Sequence, residues 1–190
     1  MTNIKKPFVL RPSHKKMRDV AFLYRMPAGI PGDVNRAWAG TTIEPNVMYT
    51  AAPLLAYGLA GVLDAATGQF RGVGASDAIG DLYGILVRPY PLNVQTANKY
   101  FGTQLLTDAS IPPISGPIDV LKRGYILVQL NAASAAAVKG APAYVWGQAT
   151  SGGHTQGGWE GASGGSALKA PAYFMGAADA NGNVEIAWNL

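Results

Sequence analysis

The 190-residue sequence contains no cysteine and only two histidines, His14 and His154. The missing thiols exclude disulfides, thiolate catalysis and cysteine zinc sites together. Two histidines without a thiol also exclude a histidine-rich metal centre. Charge is scarce: Asp, Glu, Lys and Arg make up 14 % of the chain, against roughly 25 % in an ordinary soluble domain. A body so poor in charge has little with which to keep its surface apart from other protein, and much of that surface is expected to meet protein. Long apolar runs are missing as well. The longest uncharged one, Ala51 to Leu63, contains Pro53, Gly58 and Gly61 and is too short to cross a bilayer. No apolar core follows the basic start, so no secretory signal is indicated and a soluble protein is expected.

What charge there is lies unevenly. Lys5, Lys6, Arg11, Lys15, Lys16, Arg18 and Arg25 face a single acid, Asp19, in the first 25 residues. A cationic arm over residues 1–26 therefore precedes a slightly acidic body over residues 27–190, with Pro27, Gly29, Pro31 and Gly32 at the boundary. Ser13 offers an N-cap for one short helix through Tyr24. Free in solution the arm is expected to be extended or disordered, ordering on a partner. Phe8, Val9, Leu10, Phe22, Leu23 and Tyr24 are interleaved with the charges. That mixture suits docking onto protein better than nucleic acid, where phosphate neutralisation needs only the cations.

The body has 24 glycines and 13 prolines, which favour turns and short strands over helices. Leu59 to Asp64 and Gln69 to Val73 read as a hairpin about a turn at Ala65 to Gly68. Asp81 to Pro91 reads as a strand closed by prolines. Ile118 to Asn131 reads as a long strand or bent pair broken at Gly124, apolar on both faces and so covered on both. Ala143 to Ala149 is another short strand. Asn181-Gly182 separates two apolar runs and predicts a tight primed turn, with Val184, Ile186 and Trp188 on one face of the last strand. The expected fold is all-β, a sandwich or jelly-roll-like body.

Motifs with chemical meaning are weak. Gly161-Ala162-Ser163-Gly164-Gly165 matches the nucleophile-elbow pattern, but a catalytic elbow lies between a strand and a helix and needs a suitably placed histidine. Here both flanks are Gly-rich, and His154 precedes the serine. Asp179-x-Asn181-x-Asn183 resembles the opening of a calcium loop, yet position 12 is Leu190, where a bidentate Glu is required. No phosphate-binding loop occurs, and Gly72-x-Gly74 lacks the third glycine of a dinucleotide site. No catalytic residue, cofactor or metal is expected. Among Trp38, Trp146, Trp159 and Trp188, Trp188 reads as core. Trp159, in the Gly-rich stretch from Ser151 to Ser166, is the candidate exposed aromatic for a carbohydrate-binding surface, the alternative reading of function.

Four segments resemble the structural cement, or capsid decoration, proteins of tailed bacteriophages. They are GIPGDVNRAWAGTTIEP from Gly29, DLYGILVRPYP from Asp81, DVLKRGYILVQLN from Asp119 and ADANGNVEIAWNL from Ala178. The arm and most of the Asn93 to Pro113 loop lie outside these segments. The resemblance implies a β-rich, non-enzymatic protein on the outer surface of a phage head. It implies a homo-dimer or homo-trimer bound to the major capsid protein, with no membrane partner. Lys5, Lys6, Phe8, Arg11, Lys15, Lys16, Arg18, Phe22, Tyr24 and Arg25 are then the candidate capsid-contact residues.

Overall fold

The computed structural model describes residues 29–36, 39–89 and 111–190. The basic arm, Trp38 and most of the Asn93 to Pro113 loop lie outside the described residues. So do the arm's candidate contacts and the helix suggested after Ser13.

Among the described residues there are nine strands and one short 3-10 turn. The strands are β1 (Thr42–Met48), β2 (Ala60–Leu63), β3 (Phe70–Gly72), β4 (Leu82–Leu86), β5 (Gly116–Gln129), β6 (Pro142–Trp146), β7 (Trp159–Glu160), β8 (Ala167–Phe174) and β9 (Asn183–Trp188). The all-β reading holds, and the hairpin at Ala65 to Gly68 is β2–β3. Its turn is built by Asp64, whose carboxylate accepts from Ala66 N, Thr67 N and the Thr67 hydroxyl.

The order β1–β3–β2–β4–β5 closes on itself, because β1 also pairs antiparallel with β5. The closure between β1 and β3 is one parallel pairing, Met48 with Phe70, extended by Tyr49 N donating to Phe70 O at 2.8 Å. Such a small ring needs close backbone approach. Gly61 of β2 stands between Gly72 of β3 and Gly84 of β4, a row with no side chain to hold the strands apart. Inside it pack Met48, Leu54, Tyr57, Leu59, Phe70, Leu86, Ile118 and Val120.

The second half of β5 begins the order β5–β9–β8–β6–β7. β7 returns to the end of β5, where Asn131 N donates to Trp159 O at 2.9 Å. This sheet packs Ile126, Val128, Val145, Trp159, Phe174, Ile186 and Trp188 against Ala60, Val62, Ile85 and Leu121 of the first sheet. One strand thus serves two cores. Before the break, Ile118 and Val120 face the first core; Leu121, Ile126 and Val128 face the second. The inward alternation changes register across Gly124, which has φ +139 and lets the backbone turn over there.

The terminal hairpin differs from the primed turn expected of Asn181-Gly182. Among the described residues Gly182 has a positive φ and Asn181 does not. Gly182 N donates to Asp179 O at 3.0 Å and Asp179 N to Asn183 O at 2.9 Å, the pattern of a three-residue loop with a glycine bulge. The cause is Asp179, whose Oδ1 accepts from both Asn181 N and Asn183 N. The carboxylate organises the turn before the Asn-Gly pair can.

Candidate functional site

A cleft of about 750 Å³ opens at the end of the body where β5 finishes. Four loops frame it, at 56–59, 130–136, 150–155 and 179–182. Its floor is polar and buried. Asn131 Nδ2 donates to Glu160 Oε1 at 2.5 Å, and the same oxygen meets His154 Nδ1 at 2.7 Å. Asn131 Oδ1 accepts from Thr155 N at 3.0 Å. The His154 ring stacks on Trp146, with centroids 4.2 Å apart and planes at 17°. A buried carboxylate needs such partners, since an unpaired one is costly. Asn131 thereby ties the 150–160 segment to the end of β5 through Glu160 and Thr155.

Ser163 lies exposed in the turn between β7 and β8, so a strand and not a helix follows it. Among the described residues no hydrogen bond joins it to His154, whose Nδ1 is engaged by Glu160. The elbow pattern is a turn. Asp179, the start of the calcium-like pattern, spends an oxygen on the hairpin amides. Among the described residues no group of three or more His, Asp and Glu is placed to hold a metal.

Trp159 corrects an expectation. It is fully buried, not exposed. Its Nε1 donates to Gly58 O at 2.7 Å, and its ring meets Trp188 edge-on with centroids 6.1 Å apart. The partner carbonyl is 101 residues away, so no local pattern could reveal it. The proposed aromatic platform at this residue does not exist.

A second feature escaped the sequence reading. On the outside of the closed first sheet, Pro45 lies opposite Asp119 and Val47 opposite Pro117. With Ile43 at 43 %, Val47 at 44 % and Ile114 at 60 % exposure, these residues form a mainly apolar strip on β1 and β5, interrupted by the exposed Asp119, that the other described residues leave open. The exposed Ile43, Pro45 and Val47 follow the two-residue period of β1. The signal was present in TIEPNVM, but the buried face of β1 was not assignable without its partners.

Ion pairs brace the body behind these surfaces. Arg36 meets Glu185 through two nitrogens and lies 4.7 Å over the Tyr125 ring. Arg71 holds Asp77 through two bonds of 2.8 Å, and this keeps the Asp77 carboxyl below its ordinary pKa. Lys122 donates to Tyr83 O at 2.6 Å while lying over the Tyr83 ring, and burial lowers its pKa. The Tyr83 hydroxyl donates to Glu44 at 2.7 Å, which raises the phenol's pKa.

Among the described residues, then, the body combines a closed first sheet, a polar cleft at one end and an outward strip of apolar side chains on β1 and β5. The fold is similar to a chain of the solved structure titled "The capsid of Myoviridae Phage XM1", with a TM-score of 0.61 and 19 % identity over 86 % of this chain and 91 % of that one. No curated protein matches. A family model described as XM1 gp53 minor capsid protein matches residues 18–188. The chain belongs to that tailed-phage family, and its role is structural, in the capsid. The match begins at Arg18, so it takes in the apolar end of the basic arm, which lay outside the resembling segments.

Proposed function

We propose that the protein is a cement protein on the outer surface of the phage head, a non-enzymatic homo-oligomer that binds the major capsid protein and links neighbouring subunits. The observation that carries this reading is the uncovered strip of Ile43, Pro45, Val47, Pro117 and Ile114 on a body short of charge. Exposed apolar groups in register on a closed sheet mark a face that another protein covers. A head packed with DNA presses outward, and its subunits tend to part. An oligomer that touches several subunits resists this even when each contact is weak, because joined contacts act at high effective concentration. The arm's cations, Lys5 to Arg25, extend the attachment onto acidic ground of a neighbour, so salt weakens it.

The test is co-sedimentation of the purified protein with undecorated heads of its own phage. Retention at low salt that falls as salt rises supports the proposal. No retention at low salt defeats it.

A further inference from the structure

The strip on β1 borders an open strand edge. Backbone N–H and C=O groups alternate between the two sides of a strand. Val87 N donates to Asp119 O at 2.9 Å, so the backbone of Asp119 points to β4 and not to β1. Pro45 lies opposite Asp119. Its own backbone therefore points away from β5, as do those of Ile43 and Val47. Tyr49 N, two residues beyond Val47, follows the same rule and donates to Phe70 O of β3. But β3 pairs with β1 at Met48 alone, so among the described residues no strand lies beside residues 42–47 on that side. An open edge invites another strand. Here it is blunted twice. Pro45 has no N–H, and its ring stands where a ladder hydrogen would lie. The Val47 N–H is already spent on Asn46 Oδ1 at 2.7 Å.

We propose that the strip receives a preformed, folded face of the shell protein through side chains alone, and that this face carries a Lys or Arg opposite Asp119. The proposal rests on the shell-binding reading and names the chemistry of its partner. The blunted edge excludes an extended segment that would add to β1 as a strand. Asp119 sets the charge. It is exposed, lies opposite Pro45 and shares a face of β5 with Pro117. Among the described residues its carboxylate has no hydrogen bond or ion pair. A contact that covered it with apolar atoms alone would bury an unpaired charge, which is costly. A cation in the partner removes that cost and fixes the register of the contact. A second copy laid strip on strip supplies none. The strip holds no Lys or Arg, Lys122 is turned onto Tyr83 O, and Arg123 at its end is already engaged.

The test is retention of the full chain on undecorated heads, with a thermal melt of each variant to show that it is folded. Asp119→Asn and Asp119→Leu are each expected to lower retention by about ten-fold or more, since both leave the partner's cation unpaired. Asp119→Leu should do so even though it completes the apolar strip. Asp119→Glu, which keeps the charge, should retain most of the binding. Asp119→Leu or Asp119→Asn held as well as the unaltered protein, or better, would overturn the proposal and leave the shell-binding reading standing. No retention of the unaltered protein would overturn both. If Asp119→Leu does not fold, Asp119→Asn, of the same shape as the native residue, decides. The edge is tested on the free protein. Pro45→Thr with Asn46→Ala restores a donor at position 45 and frees the Val47 N–H, and this variant is expected to sediment as larger species than the unaltered chain at equal concentration. Unchanged sedimentation would overturn the exclusion of a strand, and with it the proposal.

Discussion

Gly61 and Gly84 lie opposite each other on β2 and β4, and neither tolerates a side chain. A Cβ on Gly84 would sit 2.4 Å from Val120 Cγ1 and 2.6 Å from Leu121 O; one on Gly61 would sit 2.5 Å from the Phe70 ring and 2.6 Å from Arg71 O. The pair sets how tightly the first sheet closes. Gly84→Ala is expected to lower stability by about 1–3 kcal/mol through overpacking. Gly80→Ala, with nothing within 4 Å, should stay within about 0.5 kcal/mol. Urea denaturation of the two variants checks this, and equal midpoints would refute it.

Trp159 joins the sheets through its bond to Gly58 and its contact with Trp188. Truncation to Ala empties a fully buried site and is expected to cost about 3–5 kcal/mol. Trp159→Phe should cost less, since it keeps most of the volume and loses the indole donor. Thermal melts of both variants test the order.

Asp77 makes stability depend on acid. In the unfolded chain its carboxyl takes a proton near the ordinary 3.8; in the folded protein the Arg71 bonds hold that proton off to lower pH. The folded state therefore binds fewer protons in this range. The stabilisation is fully present well above 3.8 and is lost as the pH falls through the folded pKa. Asp77→Asn should cost about 1.5–3 kcal/mol at neutral pH, and its deficit should shrink as the pH falls below about 5. A deficit constant with pH would contradict the assignment.

The β1–β5 strip gives a prediction that separates folding from attachment. Val47→Glu changes an exposed side chain, so stability should move by about 0.5 kcal/mol or less. Retention on undecorated heads should nevertheless fall by an order of magnitude or more, because a charge would have to be buried in the contact. Loss of both together would point to misfolding, and loss of neither would remove the strip from the interface.

Much of the architecture was legible because its causes are local. Two-residue alternation marked Val184, Ile186 and Trp188, and Asp64 to Gly68 carried its own turn chemistry. The break at Gly124 was visible as well. The terminal turn was misjudged because Asp179 acts across the Asn-Gly pair and selects a different loop. Neither the cleft nor the strip was foreseen, since each is assembled from segments far apart in the chain.

The amino-acid sequence by itself determined an all-β body, a basic arm and the lack of thiol chemistry, since composition, alternation and turn residues act over a few positions. Tertiary structure alone decided that β5 serves two cores, that Trp159 is interior and that β1 turns Ile43, Pro45 and Val47 outward. The physical reason is that burial depends on which strands meet, and those pairings join residues as far apart in the chain as Thr42 and Arg123.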